Sequence, residues 1–361
     1  MRIRELKLSC WRNFHEADVT FAPGLNFVTG PNGAGKTNLL EAVAYLGQTR
    51  SFRRALDRNL ITEGEKLASI QGVFEVEGEV YSRTVDIRIS TQAKSISVDG
   101  KRFKTTSSYF GNVSTISFDP RRVFLFKGEP SERRRAMDEA CAAIDGRYLH
   151  ALSRYKRLLK ERNRALAQGL DDDVLAAYSG QLITCAYQLI RQRRALVNSA
   201  SAKAATLFAA LFDPKARFSL TYLSKMPQTD DFEAFRAEAQ GLFEQRRSLE
   251  RIRRATSIGP HLDDLECRID DHPVQIYGSQ GQNRLASLAF ILALAQIIRE
   301  RRGDPPILVL DDVLSDLDST RRSALIEVVS HLGQTIVSGS ATDVPADANI
   351  IAIEHGEIRH N

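Results

Sequence analysis

Residues 30–37 read GPNGAGKT, between a short apolar run, LNFVT at 25–29, and an apolar helical pattern from about Lys36 to Gln48. The glycines let such a loop curl so that its backbone N–H groups face inward, where the N-terminus of the next helix adds partial positive charge. The lysine can reach the β- and γ-phosphates of a nucleotide, and the threonine hydroxyl can ligate Mg²⁺. This context favours a phosphate-binding loop over a chance glycine-rich turn. Its predicted nucleotide-binding residues are Gly30, Pro31, Asn32, Gly33, Ala34, Gly35, Lys36 and Thr37.

A second motif completes the predicted metal site. Residues 307–312 read ILVLDD, an apolar strand pattern that ends in two acids. Ligands of open parallel sheets bind at the carboxyl ends of the strands, so Asp311 is predicted to hold Mg²⁺ together with Thr37. Asp312 is predicted to orient or deprotonate the attacking water, with Lys36 as the other catalytic residue. The alternative is that one of the two acids only caps the following loop.

The stretch YGSQGQ at 277–282 leads into another apolar helical pattern. Ser279 and Gln282 have the S-x-x-Q spacing of a capping box, but the neighbouring glycines are more than a buried helix start needs. Hydrolysis requires charge stabilisation on the γ-phosphate from the side opposite the loop, and free N–H groups here can supply it. Since Ser279 follows Lys36 by 243 residues, a second copy can present it in trans. Ser279, Gln280, Gly281 and Gln282 are therefore predicted to bind ATP within an ATP-dependent homodimer.

Composition limits the class of protein. The formal net charge of +5 and the pI near 9.0 are compatible with a polyanionic partner without requiring one. The four cysteines are scattered with no C-x-x-C pair, which fits a reduced cytosolic compartment better than a disulfide framework or a zinc ribbon. The apolar stretch 285–298 is shorter than the roughly 20 residues that cross a bilayer. We expect a soluble, cytoplasmic protein with no membrane partner.

The pattern along the chain predicts an α/β lobe that is split by a helical insertion. Strand-like alternation dominates up to about residue 120, and a hairpin turn is expected at Asp99-Gly100. From about residue 131 the chain turns into long amphipathic helices, with a strand-like interruption near residue 220. Strands return from residue 257. The predicted domains are 1–125 and 257–361, which form the lobe, and 126–256, a mainly helical arm.

In this order, the stretches GPNGAGKT, SQGQ, ILVLDD and SDLD at 315–318 resemble the Walker A, signature, Walker B and D-loop motifs of ABC-type ATPases. The helical insertion, WRNF at 11–14, FKGEPSERRR at 126–135 and GPHLDDLE at 259–266 make the whole chain similar to the RecF family of bacterial repair ATPases, relatives of the SMC heads. The fold that this implies is an ABC-type P-loop ATPase lobe with a mixed sheet, interrupted by the arm.

The resemblance also implies a function. RecF-family proteins are ATP-dependent dimers that bind DNA at single-strand gaps next to duplex and act with RecO and RecR to place RecA. It assigns Asp318 of the D-loop to the nucleotide site. It also places Arg12 and Asn13, after the first strand, near the base or ribose, although a simple strand end is an equally favoured interpretation. The expected activity is a weak, DNA-dependent ATPase of DNA repair, recombination, replication and the SOS response.

Two positions depart from the related proteins. Transporter ATPases of this class usually carry a histidine after the strand that corresponds to TIVSG, whereas this chain has Ser338, Gly339 and Ser340. We therefore expect slow hydrolysis. Family members often have arginine after the histidine of GPH, and this chain has Leu262, so any contact made by that arginine is missing.

Basic residues are concentrated in the predicted arm, in runs around 154–164, 191–194 and 246–254. Each run alone is typical of a solvated helix face, but several together favour largely sequence-independent contacts with DNA phosphates. His261, Asp263 and Asp264 fit a structural turn better than a metal cluster. Three other functions stay open: an SMC-type head, disfavoured by the lack of long heptads; a transporter ATPase subunit, disfavoured by the insertion; and a non-hydrolysing nucleotide sensor.

Overall fold

The computed structural model of the chain describes residues 1–76, 81–315, 317–340 and 344–359. The strands are β1 (Arg2–Trp11), β2 (Phe14–Thr20), β3 (Leu25–Thr29), β4 (Leu67–Glu75), β5 (Arg83–Ser90), β6 (Lys94–Val98), β7 (Lys101–Phe103), β8 (Thr115–Phe118), β9 (Phe218–Leu223), β10 (Asp264–Ile269), β11 (His272–Pro273), β12 (Ile307–Leu310), β13 (Thr335–Ser338), β14 (Asn349–Glu354) and β15 (Glu357–Arg359). The helices are α1 (Lys36–Gln48), α2 (Thr106–Tyr109), α3 (Pro130–Ile144), α4 (Gly146–Gln168), α5 (Asp172–Leu211), α6 (Phe232–Arg253), α7 (Val274–Tyr277), α8 (Gln280–Arg302) and α9 (Ser319–Ser330).

The chain divides into two compact units. The first comprises residues 1–125, 206–215 and 280–361, and the second comprises 126–205 and 216–279. The predicted boundary at residue 257 differs from this division. Residues 257–279 belong to the second unit, because β10 pairs with β9 in an antiparallel sheet that also includes β11.

A mixed six-stranded sheet carries the phosphate loop. Its order is β15-β14-β3-β13-β12-β8. The neighbours from β14 to β8 pair in parallel, and β15 is antiparallel to β14. The ends of β3, β12 and β13 therefore meet at the carboxyl edge of the sheet, where parallel sheets place their ligands.

An antiparallel sheet forms the other layer of the first unit, in the order β2-β1-β4-β5-β6-β7. Its strands alternate buried and exposed residues, as in β4, where alternate side chains are buried. The predicted turn at Asp99-Gly100 joins β6 to β7, and both residues have positive φ, as a two-residue hairpin requires. Helix α1 packs against strands of both sheets and is buried from Leu39 to Gln48.

The second unit is mainly helical, as predicted. Helices α3 to α6 carry buried stripes of apolar residues, and the long side chains of Tyr155 and Tyr187 pack between elements rather than forming a base-stacking surface. In the first unit, α8 has the length and composition of a membrane-spanning helix, but 83% of its most apolar 18-residue segment is buried inside the fold. Such burial is typical of the core helix of a folded domain.

Candidate nucleotide-binding site

Two glycines of the phosphate loop are required by the backbone and its neighbours. Gly30 has φ 150°, and a Cβ there would lie 2.1 Å from the carbonyl oxygen of Ile353. Gly35 has φ 121°, and its Cβ would lie 2.7 Å from Nδ2 of Asn13. Both lie in a region of φ that side chains rarely adopt. Gly35 is also the N-cap of α1 and offers no side-chain cap, which leaves the first N–H groups of the helix for an anion.

The phosphate loop is held by the side chain of Asn13, which the family resemblance assigned to the nucleotide. Asn13 Nδ2 donates a hydrogen bond of 2.9 Å to the carbonyl of Ala34, and Asn13 Oδ1 accepts one of 2.7 Å from Asn38. Gly356, in the turn between β14 and β15, also donates to the Ala34 carbonyl at 3.1 Å. These contacts fix the curvature of the loop from two other segments of the chain.

Arg12, the other residue predicted to contact the base or ribose, is engaged in a buried ion pair. Its Nε and Nη2 donate to the carboxylate of Glu41 at 2.9 and 3.0 Å, and Nη1 donates to the carbonyl of Asn59. Glu41 lies on α1, is fully buried, and also accepts from the Ser51 hydroxyl. The side chain of Arg12 therefore contacts α1, the helix that begins with Lys36. Contact between Arg12 and the nucleotide stays a prediction.

Lys36 is folded onto its own loop. Its Nζ donates to the carbonyl of Gly30 at 2.7 Å and to that of Pro31 at 3.1 Å. An ammonium group has three donors and no acceptor, and these two carbonyls accept its hydrogen bonds when no phosphate is bound. A phosphate oxygen is a stronger acceptor because it is charged. The lysine is thus anchored where it can exchange a neutral partner for a phosphate.

The predicted metal ligands are in direct contact. Thr37 Oγ1 donates to Asp311 Oδ1 at 3.1 Å, and Ser338 Oγ donates to the same oxygen at 2.8 Å. Burial raises the pKa of Asp311 above its ordinary value, while the hydrogen bonds from Ser338 and Thr37 and the charge of Arg53 act in the opposite direction. Within the described residues, Asp311 Oδ2 is buried and has no hydrogen-bond partner.

This arrangement fits Mg²⁺. A buried carboxylate oxygen without a partner, next to a threonine hydroxyl, is a pair of hard oxygen ligands, and Mg²⁺ is usually held by one or two such groups together with phosphate and water. In the part of the chain that the structure describes, no group of three or more His, Cys, Asp or Glu residues is placed to hold a metal. The alternative cluster is otherwise engaged: Asp264 pairs with Arg133, and His261 bonds to Tyr155 and the Thr256 carbonyl.

Asp312 lies on a turn that two other elements hold. It has φ 51°, which is uncommon for a residue with a side chain, and its N–H donates to Ser338 Oγ at 2.9 Å. Arg284 of α8 donates from Nη2 to the carbonyls of Asp312 and Val313 at 2.8 and 3.0 Å. These hydrogen bonds connect α8 to the turn that contains Asp312 of the same chain. Asp312 itself is exposed.

These groups surround a cleft of about 880 Å³. Its lining consists of Gly30, Asn32, Gly33, Gly35, Lys36, Thr37, Asn38, Arg53, Asp311, Asp312, Ser315, Ser338, Gly339 and Ser340. Three of them, Ser338 to Ser340, occupy the position where related transporters have a histidine. Ser338 has a clear role, because it hydrogen-bonds both to the Asp311 carboxylate and to the Asp312 N–H.

The signature stretch is presented to solvent. Ser279, Gln280 and Gly281 are exposed, Gln282 is half-buried, and α8 begins at Gln280. Gln280, Gly281 and Gln282 are not among the residues that line the cleft above. Contact of the signature residues with a nucleotide stays a prediction. The predicted capping box stays a prediction.

The D-loop residue Asp318 has a structural contact of its own. It is the N-cap of α9, and its Oδ1 accepts from the N–H of Arg321 at 2.9 Å. It is exposed and lies outside the cleft lining. Its neighbour Asp316, part of the SDLD stretch, lies outside the described residues. A contact between Asp318 and a nucleotide remains a prediction.

Sequence reasoning missed Arg53. This exposed residue lines the cleft, and its Nη1 donates to Asn38 Oδ1 at 3.0 Å. Its loop is fixed by Ser51, whose hydroxyl accepts from the N–H of Arg53 and donates to Glu41. No local spacing rule identifies an arginine beyond the end of α1, and only the fold brings it to the phosphate loop.

Comparison with known proteins gives the same result over the whole chain. A family model described as RecF/RecN/SMC N terminal domain matches residues 2–353. The DNA replication and repair protein RecF of Halalkalibacterium halodurans is 34% identical, and the alignment covers 99% of each chain. RecF of Limosilactobacillus fermentum is 36% identical with the same coverage. The chain belongs to the RecF family.

Solved structures agree with this assignment. A structure described as the recombination mediator protein RecF-ATPrS in the RecFOR pathway matches this RecF-family chain with a TM-score of 0.90 at 25% identity, covering 99% of this chain and 97% of that one. An Smc head domain from Pyrococcus furiosus matches with a TM-score of 0.58 at 18% identity, which shows the shared fold alone. The predicted ABC-type α/β fold is confirmed.

Proposed function

We propose that this RecF-family DNA replication and repair ATPase binds Mg²⁺ and ATP in the cleft beside residues 30–37 and closes it by dimerising. The proposal rests on the observation that the cleft lining contains the phosphate loop and the predicted metal ligands but not the exposed signature residues of helix α8. One copy supplies the loop, Lys36, Thr37 and Asp311, whereas the exposed signature residues Gln280 and Gly281 stand outside its own lining. A second copy then supplies them to the γ-phosphate in trans.

The main residues of the cleft have the following proposed roles. The N–H groups of the loop and of the first turn of α1 bind the phosphates, and Lys36 exchanges the Gly30 carbonyl for a β- or γ-phosphate oxygen. Thr37 and Asp311 hold Mg²⁺, which neutralises charge on the phosphates when bound. Asp312 orients the attacking water and accepts its proton. Arg53 adds positive charge at the same site.

The proposed rate of hydrolysis is low. Ser338, Gly339 and Ser340 stand where transporters have the histidine, and the Ser338 hydroxyl is already used between Asp311 and the Asp312 N–H. A serine side chain is also shorter and uncharged, so it stabilises less charge on the γ-phosphate than an imidazolium does. Turnover then depends on how well the partner copy completes the site.

The proposed place of action is the cytoplasm, at single-strand gaps next to duplex DNA. The related structure is described as belonging to the RecFOR pathway, which supports RecO and RecR as protein partners and RecA as the protein that is loaded. Slow hydrolysis fits this work, since a dimer held by ATP would remain on DNA long enough to act as a marker of the gap.

Mass in solution, measured with ATP, with ADP and without nucleotide, tests the proposal. We expect dimers with ATP and Mg²⁺ and monomers otherwise. The Lys36→Met variant should stay monomeric with ATP, because it lacks the phosphate contact. Asp312→Asn should dimerise and then hydrolyse at most a few per cent as fast as the parent, since loss of a general base costs roughly 10²-fold or more.

The control is Arg102→Gln, an exposed change on β7 outside the cleft lining, which should leave dimerisation unchanged. A monomer at saturating ATP and Mg²⁺ would contradict the proposal. So would dimers of Lys36→Met that form as readily as those of the parent, because the cleft would then have no part in assembly.

A further inference from the structure

The three basic runs of the sequence have different environments in the folded second unit. In the run on α5, the side chain of Arg193 is 2% exposed and is paired with Asp138 and Asp263. This buried arginine cannot contact DNA, which corrects the expectation for Arg193. Its neighbours Arg191 and Arg194 both pair with Asp230.

The run on α6 is partly neutralised. Arg247 and Arg251 both donate to Asp172, at 3.0 and 2.5 Å. Arg253, the last residue of the helix, is exposed but lies on another face than these two, and Arg254 is the left-handed cap beyond the helix. The α6 run is therefore interrupted as a charged surface.

Helix α4 is different. Its residues 146–168 include seven Lys and Arg side chains against one acid, Glu161, so the formal charge of this helix exceeds the net charge of +5 of the whole chain. Two of the seven are neutralised within the fold: Arg162 by buried Glu250 and Arg147 by Asp145.

Three exposed cations of α4 lie on a single face. The buried stripe of the helix includes Tyr155, Leu158 and Arg162. Arg157, Lys160 and Arg164 follow the three- and four-residue spacing of one helical face and lie opposite that stripe. In the described residues none of these three has an acidic partner. Arg154, at the edge of the face, makes one long hydrogen bond, of 3.4 Å, to Gln181.

We propose that this face of α4, formed by Arg154, Arg157, Lys160 and Arg164, binds the phosphate backbone of DNA. The inference rests on the proposed function and names the surface through which the arm contacts DNA. The four residues span about 15 Å along the helix axis, a length over which duplex DNA carries roughly nine phosphates. Several cations can therefore contact phosphates at once.

The chemistry of the face favours phosphate over a protein surface. Protein interfaces depend on buried aromatic or aliphatic anchors, and none of the exposed large apolar residues of the described chain lies on α4. Contacts of lysine and arginine with phosphate carry no sequence information. Binding through this face is thus independent of base sequence and strongly dependent on salt.

The test compares the parent with the triple variant R157Q/K160Q/R164Q. Glutamine keeps the helix propensity close to that of lysine and arginine, so α4 should remain folded. Binding to a short fluorescent duplex and to a gapped duplex is measured with ATP and Mg²⁺, between about 50 and 200 mM salt. The control, K101Q/R102Q/K104Q, removes three exposed cations in the other unit, two on β7 and one directly after it.

We expect the slope of log K against log salt to fall by about three in R157Q/K160Q/R164Q, about one for each lost phosphate contact. Affinity should fall by at least tenfold at low salt for every base sequence, and the control should resemble the parent. Equal affinity and slope in the triple variant and the parent would overturn the inference.

The mass in solution with and without ATP, measured on the same samples, distinguishes failure of the proposed function from failure of the α4 inference. The triple variant should dimerise with ATP as the parent does. If the parent dimerises and binds DNA while the variant binds equally well, only the α4 face is excluded. If the parent neither dimerises with ATP nor binds DNA, the proposed function fails and the inference fails with it.

Discussion

Asp311 shows how a single residue can be unfavourable in the empty protein and useful when the site is filled. It is 2% exposed, and one of its carboxylate oxygens has no partner among the described residues. Burial raises its pKa above the ordinary Asp value. Protonation therefore stabilises the empty fold, and this contribution is lost as pH rises through the raised pKa. A divalent cation removes the cost by pairing with the ionised form.

This account predicts the effect of Asp311→Asn. The neutral amide removes the buried charge, so near neutral pH the empty variant should have a free energy of unfolding at least equal to that of the parent. With ATP and Mg²⁺ at a hundred times the dissociation constant, the parent should gain about 2.7 kcal/mol and the variant almost nothing. Thermal unfolding with and without ligand measures both quantities.

Asp312→Asn is the matched control, because Asp312 is exposed and is not the proposed metal ligand. It should keep the gain in stability with ATP and Mg²⁺. A full gain in Asp311→Asn would contradict the assignment of the metal ligand. In the parent, the affinity for Mg²⁺ and ATP should begin to fall, as pH is lowered, at a higher pH than an ordinary Asp, with pKa about 3.9, would give.

The sequence predicted the residues of this site that form contiguous motifs, and missed those that distant segments bring in. GPNGAGKT follows a strand and ILVLDD contains one, so their places at a strand end could be predicted, and the fold brings Lys36, Thr37 and Asp311 to one cleft. Asn13 was predicted to lie near the base or ribose, but its hydrogen bond to Ala34, 21 residues away, was not predicted. Arg53 was missed altogether, because it reaches the cleft only where Ser51 and Glu41 fix its loop. Such placements depend on tertiary packing, which local patterns do not report.

At the level of elements, α5 illustrates why a charge run cannot be interpreted by composition. Arg193 donates to Asp138 at 2.8 Å and to the Pro260 carbonyl at 2.7 Å, and it lies within 3.5 Å of Asp263. The hydroxyl of Tyr222 donates to Asp263 as well. These groups come from four elements or turns, and the arginine is the cation that they share.

Arg193→Met should therefore destabilise the second unit by about 3–5 kcal/mol, because it leaves two largely buried carboxylates without their cation. Urea unfolding followed by helical circular dichroism measures this loss. Arg191→Met, on the same helix, is the control: its side chain is 61% exposed and its ion pair is 3.8 Å long, so it should cost less than about 1 kcal/mol. Equal stability of the two variants would exclude the shared-cation role.

The elements themselves were largely predictable, because their periodicity is strong. Helix α1 begins at Lys36 and ends at Gln48, as predicted, and β12 occupies the predicted apolar run. The basic runs were less informative: the sequence grouped three of them together, whereas the fold buries or pairs much of the α5 run, pairs part of the α6 run and leaves the α4 face exposed. Helical spacing alone did not indicate which acids lie nearby.

For the whole molecule, the order of motifs predicts an ABC-type lobe and an inserted arm, and the fold contains both kinds of unit. The boundary near residue 257 could not be placed from composition, because β10 resembles the lobe's strands but pairs with β9 of the helical unit. The proposed dimer rests on the same motif order, with Gln280 to Gln282 of the signature stretch outside the cleft lining of their own chain.

The central claim is that one copy's Ser279 and its neighbours contact the nucleotide held by residues 30–37 of another copy. A photo-crosslinking residue in place of exposed Gln280 tests it directly, with the same residue in place of exposed Ile252 as the control. With ATP and Mg²⁺ we predict a crosslinked species of dimer mass whose joined peptides contain positions 280 and 30–37, with none at Ile252 or with ADP. A crosslink confined to single chains, or one that never includes residues 30–37, would contradict the account.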